Sequence, residues 1–80
     1  MARITVLLPQ WGMGMSEGTI VKWLKAVGDS VAEDEPLAEV ESEKTVEVIE
    51  APAAGTLSGI LVEAGTVVPV RTPVAIIEKA

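Results

Sequence analysis

Eighty residues bound the chain to one small domain, expected over 1–80, that buries about 60–65% of its unfolded surface, so no deep cleft is expected. Histidine, cysteine, Phe and Tyr are absent, which excludes most triad and thiolate chemistry, His- or Cys-ligated zinc and any disulfide. Twelve acidic residues against six basic ones give −6, the wrong sign for a nucleic-acid binder, and no apolar run reaches membrane-spanning length.

In chain order the elements read as all β. Ile4–Leu8 predicts a first strand, too short for a signal-peptide core and stopped by Pro9. The loop Gln10–Glu17 leads to a second strand, Thr19–Leu24, and a short extended piece is expected around Val31. Pro36–Glu41 and Thr45–Glu50 form a pair separated by Ser42, Glu43 and Lys44. Thr56–Val62, a short piece at Val67–Val68, and Pro73–Glu78 complete the set. Turn signals recur every eight to twelve residues, the spacing of a sandwich or barrel. Glycines and prolines interrupt every window long enough for a helical stripe, so little or no helix is expected.

An internal repeat underlies this pattern. A shift of 37 lays Gly18-Thr19 on Gly55-Thr56, Leu24 on Leu61, Gly28 on Gly65 and Val31 on Val68. Pro36 falls on Pro73, Ala38 on Ala75 and Glu41 on Glu78. The shared glycines and prolines sit at turns, where backbone geometry selects the residue. Two four-strand units about an approximate two-fold axis can bury one shared core that neither buries alone.

The repeat breaks twice. Eight residues separate Pro9 from Gly18, but two separate Pro52 from Gly55, so the first half carries six extra. They belong to the loop with Trp11, Met13 and Met15, side chains suited to an adaptable contact surface, or else folded back on the barrel. The second break is the hairpin Glu41-Ser42-Glu43-Lys44-Thr45, whose counterpart is the gap between the two chain ends. Around it Glu39, Glu41, Glu47 and Glu50 alternate with Val40, Val46 and Val48, as in a half-buried strand pair. Lys44, one of four lysines, stands at the tip. An exposed lysine is protonated near neutral pH and a poor nucleophile by itself, but it can serve as a handle. An ordinary solubilising lysine is the plain alternative.

These residues resemble the lipoyl domains of 2-oxo-acid dehydrogenase complexes, within the biotinyl/lipoyl attachment family. The series Leu8, Pro9, Gly12, Met15, Glu17, Gly18 is similar to that family's opening motif. Trp23-Leu24-Lys25, Gly28-Asp29-x-Val31 and Leu37-Ala38-Glu39-Val40-Glu41 follow in the family's order, as do Gly55-x-Leu57 and Gly65-x-x-Val68-x-Val70. The attachment motif, usually Glu-Thr-Asp-Lys-Ala, stands as Glu41-Ser42-Glu43-Lys44-Thr45. Asp34 and Arg71 occupy positions where the family commonly has a turn glycine. Asp visits the left-handed region at modest cost, whereas Arg there is expected to be strained or to force another turn.

The resemblance implies a flattened barrel of two four-stranded antiparallel sheets, with lipoate in amide linkage on Lys44, flanked by Glu43 and Thr45. It implies a carrier without an active site of its own, located in the cytoplasm. Lipoate ligase or lipoyl transferase would attach the cofactor. A thiamine-diphosphate-dependent decarboxylase would load it from a 2-oxo acid or acetoin. An acyltransferase core would pass the acyl group to coenzyme A, and a flavin-dependent dihydrolipoamide dehydrogenase would reoxidise the dithiol. Trp11, Met13, Met15, Glu17 and Glu41 are the expected partner-recognition residues. A biotin carboxyl carrier shares the fold but flanks its lysine with Met on both sides, which Glu43 and Thr45 do not match. An unmodified lipoyl-like interaction module is the third reading and needs no lysine at the tip. Met1 reads as a start and no Ala/Pro-rich linker is visible, although the front of a dihydrolipoamide acyltransferase would read the same over these residues.

Overall fold

Alternating β-branched and turn residues produce eight strands and no helix in a computed structural model that describes residues 2–43 and 45–79. The strands are β1 (Arg3–Leu7), β2 (Glu17–Trp23), β3 (Ser30–Val31) and β4 (Pro36–Glu41). They continue as β5 (Val46–Glu50), β6 (Gly55–Ile60), β7 (Val67–Pro69) and β8 (Pro73–Glu78). One antiparallel sheet has the order β1-β8-β6-β3 and the other β5-β4-β2-β7. This is the flattened two-sheet, all-β arrangement that the resemblance implies. β4 and β8 keep their expected bounds, and the others shift by one or two residues. Leu8, Leu24 and Leu61 leave their strands to donate to Thr72, Leu37 and Val74 carbonyls, while β7 holds Glu17 and Gly18 into β2.

The repeat is present bond by bond. The 37-residue shift maps β4 onto β8, and adding the six extra loop residues (a shift of 43) maps β1 onto β5. Asp34 N–H donates to the Ala51 carbonyl, and Arg71 N–H to the Leu8 carbonyl, both at 2.8 Å. Gly28 N–H reaches the Leu57 carbonyl as Gly65 N–H reaches that of Ile20. Register shifts recur at related places, between Ile20 and Lys22 and between Leu57 and Gly59. Such bulges bend a strand and increase its twist, which helps two sheets wrap around one core. That core draws on both halves: Leu8, Ile20, Leu37, Val40 and Ile49 pack with Leu57, Val74 and Ile77, all essentially inaccessible.

Arg71 takes the strained option. Its φ is 67°, and its counterpart Asp34 has 68°, so both corners use the same left-handed turn. A non-glycine residue there costs about 1–2 kcal/mol, set against the corner hydrogen bonds that the turn permits. The first corner has an additional clamp. Glu35 accepts from Ala32 N–H at 2.8 Å and pairs with Lys25 Nζ at 2.7 Å. That hydrogen bond lowers the Glu35 pKa, with help from Ala32 N–H, and raises that of Lys25. Thr72 and Val62 stand at the related positions of the second corner, which has no such pair among the described residues.

On β5 the valines of the Glu/Val alternation are not the inward-facing set. Val46 and Val48 are exposed, Ile49 is buried and Glu47 is half-buried, so the valines lie on the outer face. β5 is an edge strand, and only Ile49 and the following Ala51 reach the core. Glu47 lies near the open hairpin end, where its carboxylate still meets water.

Two related glycines set how closely neighbouring strands approach. A Cβ on Gly18 would lie 2.8 Å from a Val40 methyl, and one on Gly55 would overlap the Glu78 carbonyl oxygen. The Val40 side chain can shift, but the Glu78 backbone is held in ladders with both β1 and β6. Gly55→Ala is therefore expected to cost about 1–3 kcal/mol, as overpacking does, and Gly18→Ala less. Urea unfolding of both variants checks the order, and equal midpoints would contradict it.

Candidate functional site

The central strand β4 is paired on one side with β2 and on the other with β5, and the β4–β5 hairpin projects from this support. Ser42 closes the turn: its N–H donates to the Thr45 carbonyl at 2.8 Å, and its hydroxyl donates to the same oxygen at 3.1 Å. The related bond elsewhere in the fold is Lys79 N–H to the Ala2 carbonyl at 2.9 Å. It bridges two chain ends, so the related position has no connecting turn. Glu41, Glu43 and Thr45 are exposed and Ser42 is half-buried. Lys44, the expected attachment residue, lies outside the described residues.

The loop before β2 has defined geometry. Met15 N–H donates to the Gly12 carbonyl at 3.2 Å, closing a turn in which Gly14 takes a φ of 86°, a position that favours glycine. Gln10 Nε2 donates to the Met15 carbonyl at 3.1 Å, a contact with no sequence signal that could have predicted it. The two expectations for this loop divide among its residues. Trp11 packs half-buried against the core, and Met15 is half-buried with its methyl over Gly18. Met13, at the turn's tip, is fully exposed at 103%.

Loop and hairpin meet because β2 begins where β4 ends, with Thr19 paired to Glu41. An open trough lies between them. Trp11, Met13 and Met15 line it from the loop, and Glu43, Thr45 and Val46 from the hairpin. Glu17, Glu41 and Glu47 add to its rim, so all five expected recognition residues line one depression. The related end of the fold differs in charge. Glu78 pairs there with Arg3 at 3.3 Å, whereas Glu41 faces Val46 across the ladder. Among the described residues no ion pair neutralises Glu17, Glu41, Glu43 or Glu47. No group of three potential metal ligands gathers among the described residues. The second tryptophan is remote from the trough: Trp23 Nε1 donates to the Val62 carbonyl at 2.9 Å, at the other end of β2.

This geometry has relatives. The family described as "Biotin-requiring enzyme", of biotin and lipoyl domains, matches residues 4–77. The acetyltransferase component of the pyruvate dehydrogenase complex of Mycobacterium bovis is 46% identical over 65 residues, 81% of this chain and 12% of that protein. The acetyltransferase component of the acetoin cleaving system of Cupriavidus necator is 36% identical over 77 residues, 96% of this chain and 21% of that one. The chain thus spans a small fraction of the length of these relatives. The solution structure of the lipoyl domain of the Azotobacter vinelandii 2-oxoglutarate dehydrogenase complex superposes with a TM-score of 0.71 at 23% identity, covering 94% of this chain and 99% of that domain. Kluyveromyces lactis urea carboxylase superposes at 0.82 with 26% identity, over 98% of this chain and 6% of that enzyme. With the match running through nearly every strand, the chain belongs to the biotinyl/lipoyl attachment family.

Proposed function

We propose that the chain is a lipoyl carrier, with lipoate in amide linkage to Lys44, serving a 2-oxo-acid or acetoin dehydrogenase complex. The observation that carries this reading is the hairpin. It is the one place among the described residues where the two-fold repeat is joined by a turn instead of left as two chain ends. Glu43 and Thr45, on either side of the lysine, are exposed, so a long substituent between them has room in solvent. The curated relatives are named dihydrolipoyllysine-residue acetyltransferase components, which supports lipoate. The residues beside the lysine favour lipoate over biotin, because neither is Met.

When bound, lipoate supplies a dithiolane that accepts electrons and acyl groups, so the cofactor brings the chemistry and the protein presents it. The chain's own residues do three things. The Ser42–Thr45 bonds fix the turn, the β4 ladders hold it rigid, and the acidic rim offers a face to basic partners. Tethering raises the effective concentration of the carried group at each successive site. The partners in this reading are a lipoate ligase or lipoyl transferase, a thiamine-diphosphate-dependent decarboxylase, an acyltransferase core and dihydrolipoamide dehydrogenase.

Co-expression with a lipoate ligase and, separately, a biotin ligase tests the reading by intact mass and peptide mapping. One lipoyl group on Lys44, lost in Lys44→Arg, is the expected result. Label persisting in that variant would overturn the site, a biotin gain would make the chain a biotin carrier, and no gain would leave an interaction module.

The loop's proposed part in partner choice has its own test. Met13→Ser alters a side chain that the core does not use, so stability should stay within about 0.5 kcal/mol. Lipoylation should also persist, while loading by the decarboxylase component falls. Unchanged loading would assign the tip no role in recognition.

A further inference from the structure

We infer that the outer face of the β5-β4-β2-β7 sheet is a docking surface for a partner protein that brings Lys or Arg between aliphatic side chains, and that this partner is the decarboxylase component. The surface adds to the carrier reading and depends on it. The repeat provides an internal comparison, because residues directly opposite each other in a ladder share a face. One outward row runs Val46, Glu41, Thr19, Val67 across the sheet, and the related row of the other sheet runs Arg3, Glu78, Thr56, Ser30. In the next row Val48, Glu39 and the bulge residues Val21 and Lys22 stand against Thr5, Ile76, Ser58 and Gly59. Val46, Val67, Val21 and Val48 are 57, 53, 45 and 36% exposed, at positions where the same fold is content with Arg, Ser, Ser and Thr. Leu7 against Glu50, at the ends of the edge strands, is an exchange in the other sense. Strand propensity favours Val, but the related strands form with polar residues in these places, so forming the strands does not require the valines.

The chemistry of the face selects the kind of partner. The valines lie on β5 at one side and on β2 and β7 at the other, and β4 carries Glu39 and Glu41 between them. Lys22 reaches Glu39 at 3.8 Å, and Glu41 has no ion-pair partner among the described residues. A second copy packed face to face would set these carboxylates against their own kind, a costly juxtaposition. A Lys or Arg from another protein can instead lay its methylene stem on a valine and bring its charge to β4. Position then selects the decarboxylase among the proposed partners. Thr19, Glu41 and Val46 also line the trough, so a protein seated on the Met13 tip meets this row next. One exposed methionine cannot supply the roughly 800 Å² per partner of a standard specific interface. A face four strands wide, about 14 Å between its outermost strands, supplies a broad share of it.

Moving the residues of one sheet onto the other tests the surface. Val21→Ser, Val48→Thr and Val67→Ser together place on this face what the related positions already carry, and none of the three lines the trough. In the full chain this triple variant should melt cooperatively and gain the same lipoyl mass as the native chain. Both are then offered to the decarboxylase components of a pyruvate dehydrogenase complex and an acetoin cleaving system, and reductive acylation is followed with whichever loads the native chain. The KM for the lipoylated variant should rise about tenfold at nearly unchanged kcat. Glu39→Gln should raise KM in the same direction and flatten its dependence on salt. Leu61→Ser, which removes a side chain of similar exposure just past β6 of the other sheet, should leave it unchanged. If the triple change unfolds the chain, Val67→Ser and Glu39→Gln singly decide the question. Unchanged KM in a folded, lipoylated variant would overturn the docking face and leave the carrier reading intact. A loss confined to lipoylation, or self-association of the native chain that the variant abolishes, would likewise overturn it by giving the face to a ligase or to a second copy. A native chain that gains no lipoyl mass, or that neither component loads, would overturn both.

Discussion

The two corner turns at Asp34 and Arg71 are the constraint on which the rest of the structure depends. Each holds a non-glycine residue in the left-handed region and in return brings its N–H to a carbonyl just beyond an edge strand, Ala51 in one half and Leu8 in the other. Leu8 and Ala51 are themselves buried, so each corner fastens an edge strand and seals the core together. β1 and β5 each have one ladder, to β8 and β4, and these bonds, with Leu8 N–H to the Thr72 carbonyl and Ala51 N–H to that of Glu35, extend the hold past the strand ends. The strain is local, and the burial it permits is shared by both halves.

Against such close repetition the departures are informative. A turn stands where the related position has two chain ends, and an eight-residue connection where the other has two residues. At the hairpin end Val46 replaces the Arg3 that pairs with Glu78 at the related end. All three departures gather on one side of the molecule and make it projecting, partly apolar and acidic. A barrel selected only for stability has no need for a fully exposed methionine beside unpaired carboxylates.

The sequence made much of this legible, because the repeat rests on glycines and prolines whose backbone demands survive without alignment. Pro36–Glu41 and Pro73–Glu78 were readable to the residue for that reason. The facing of β5 was not. Alternating Glu and Val predict which residues share a face but not which face is buried on an edge strand. The Lys25–Glu35 pair and the Gln10 contact depend on side chains meeting across loops, which periodicity does not encode. For the loop, composition left Trp11 and Met13 open between a contact surface and packing on the barrel, and only the fold separates the one packed on the core from the one in water.

In the proposed reading presentation is a matter of position, and Lys44 needs no special reactivity if the hairpin sets its frame. Exchanging Glu43 and Lys44 keeps composition and charge while moving the amine one place along the turn. Exposed ion pairs are worth about 0–1 kcal/mol, so Glu43→Gln should change modification little and serves as the control for charge. The measurement is the extent of lipoylation by a lipoate ligase in the exchanged and native chains, with thermal melts to show that both are folded. The account predicts that the exchange abolishes or greatly reduces modification at unchanged melting temperature. Equal lipoylation of the two chains would contradict it and show that the ligase reads exposure or local acidity instead of the frame.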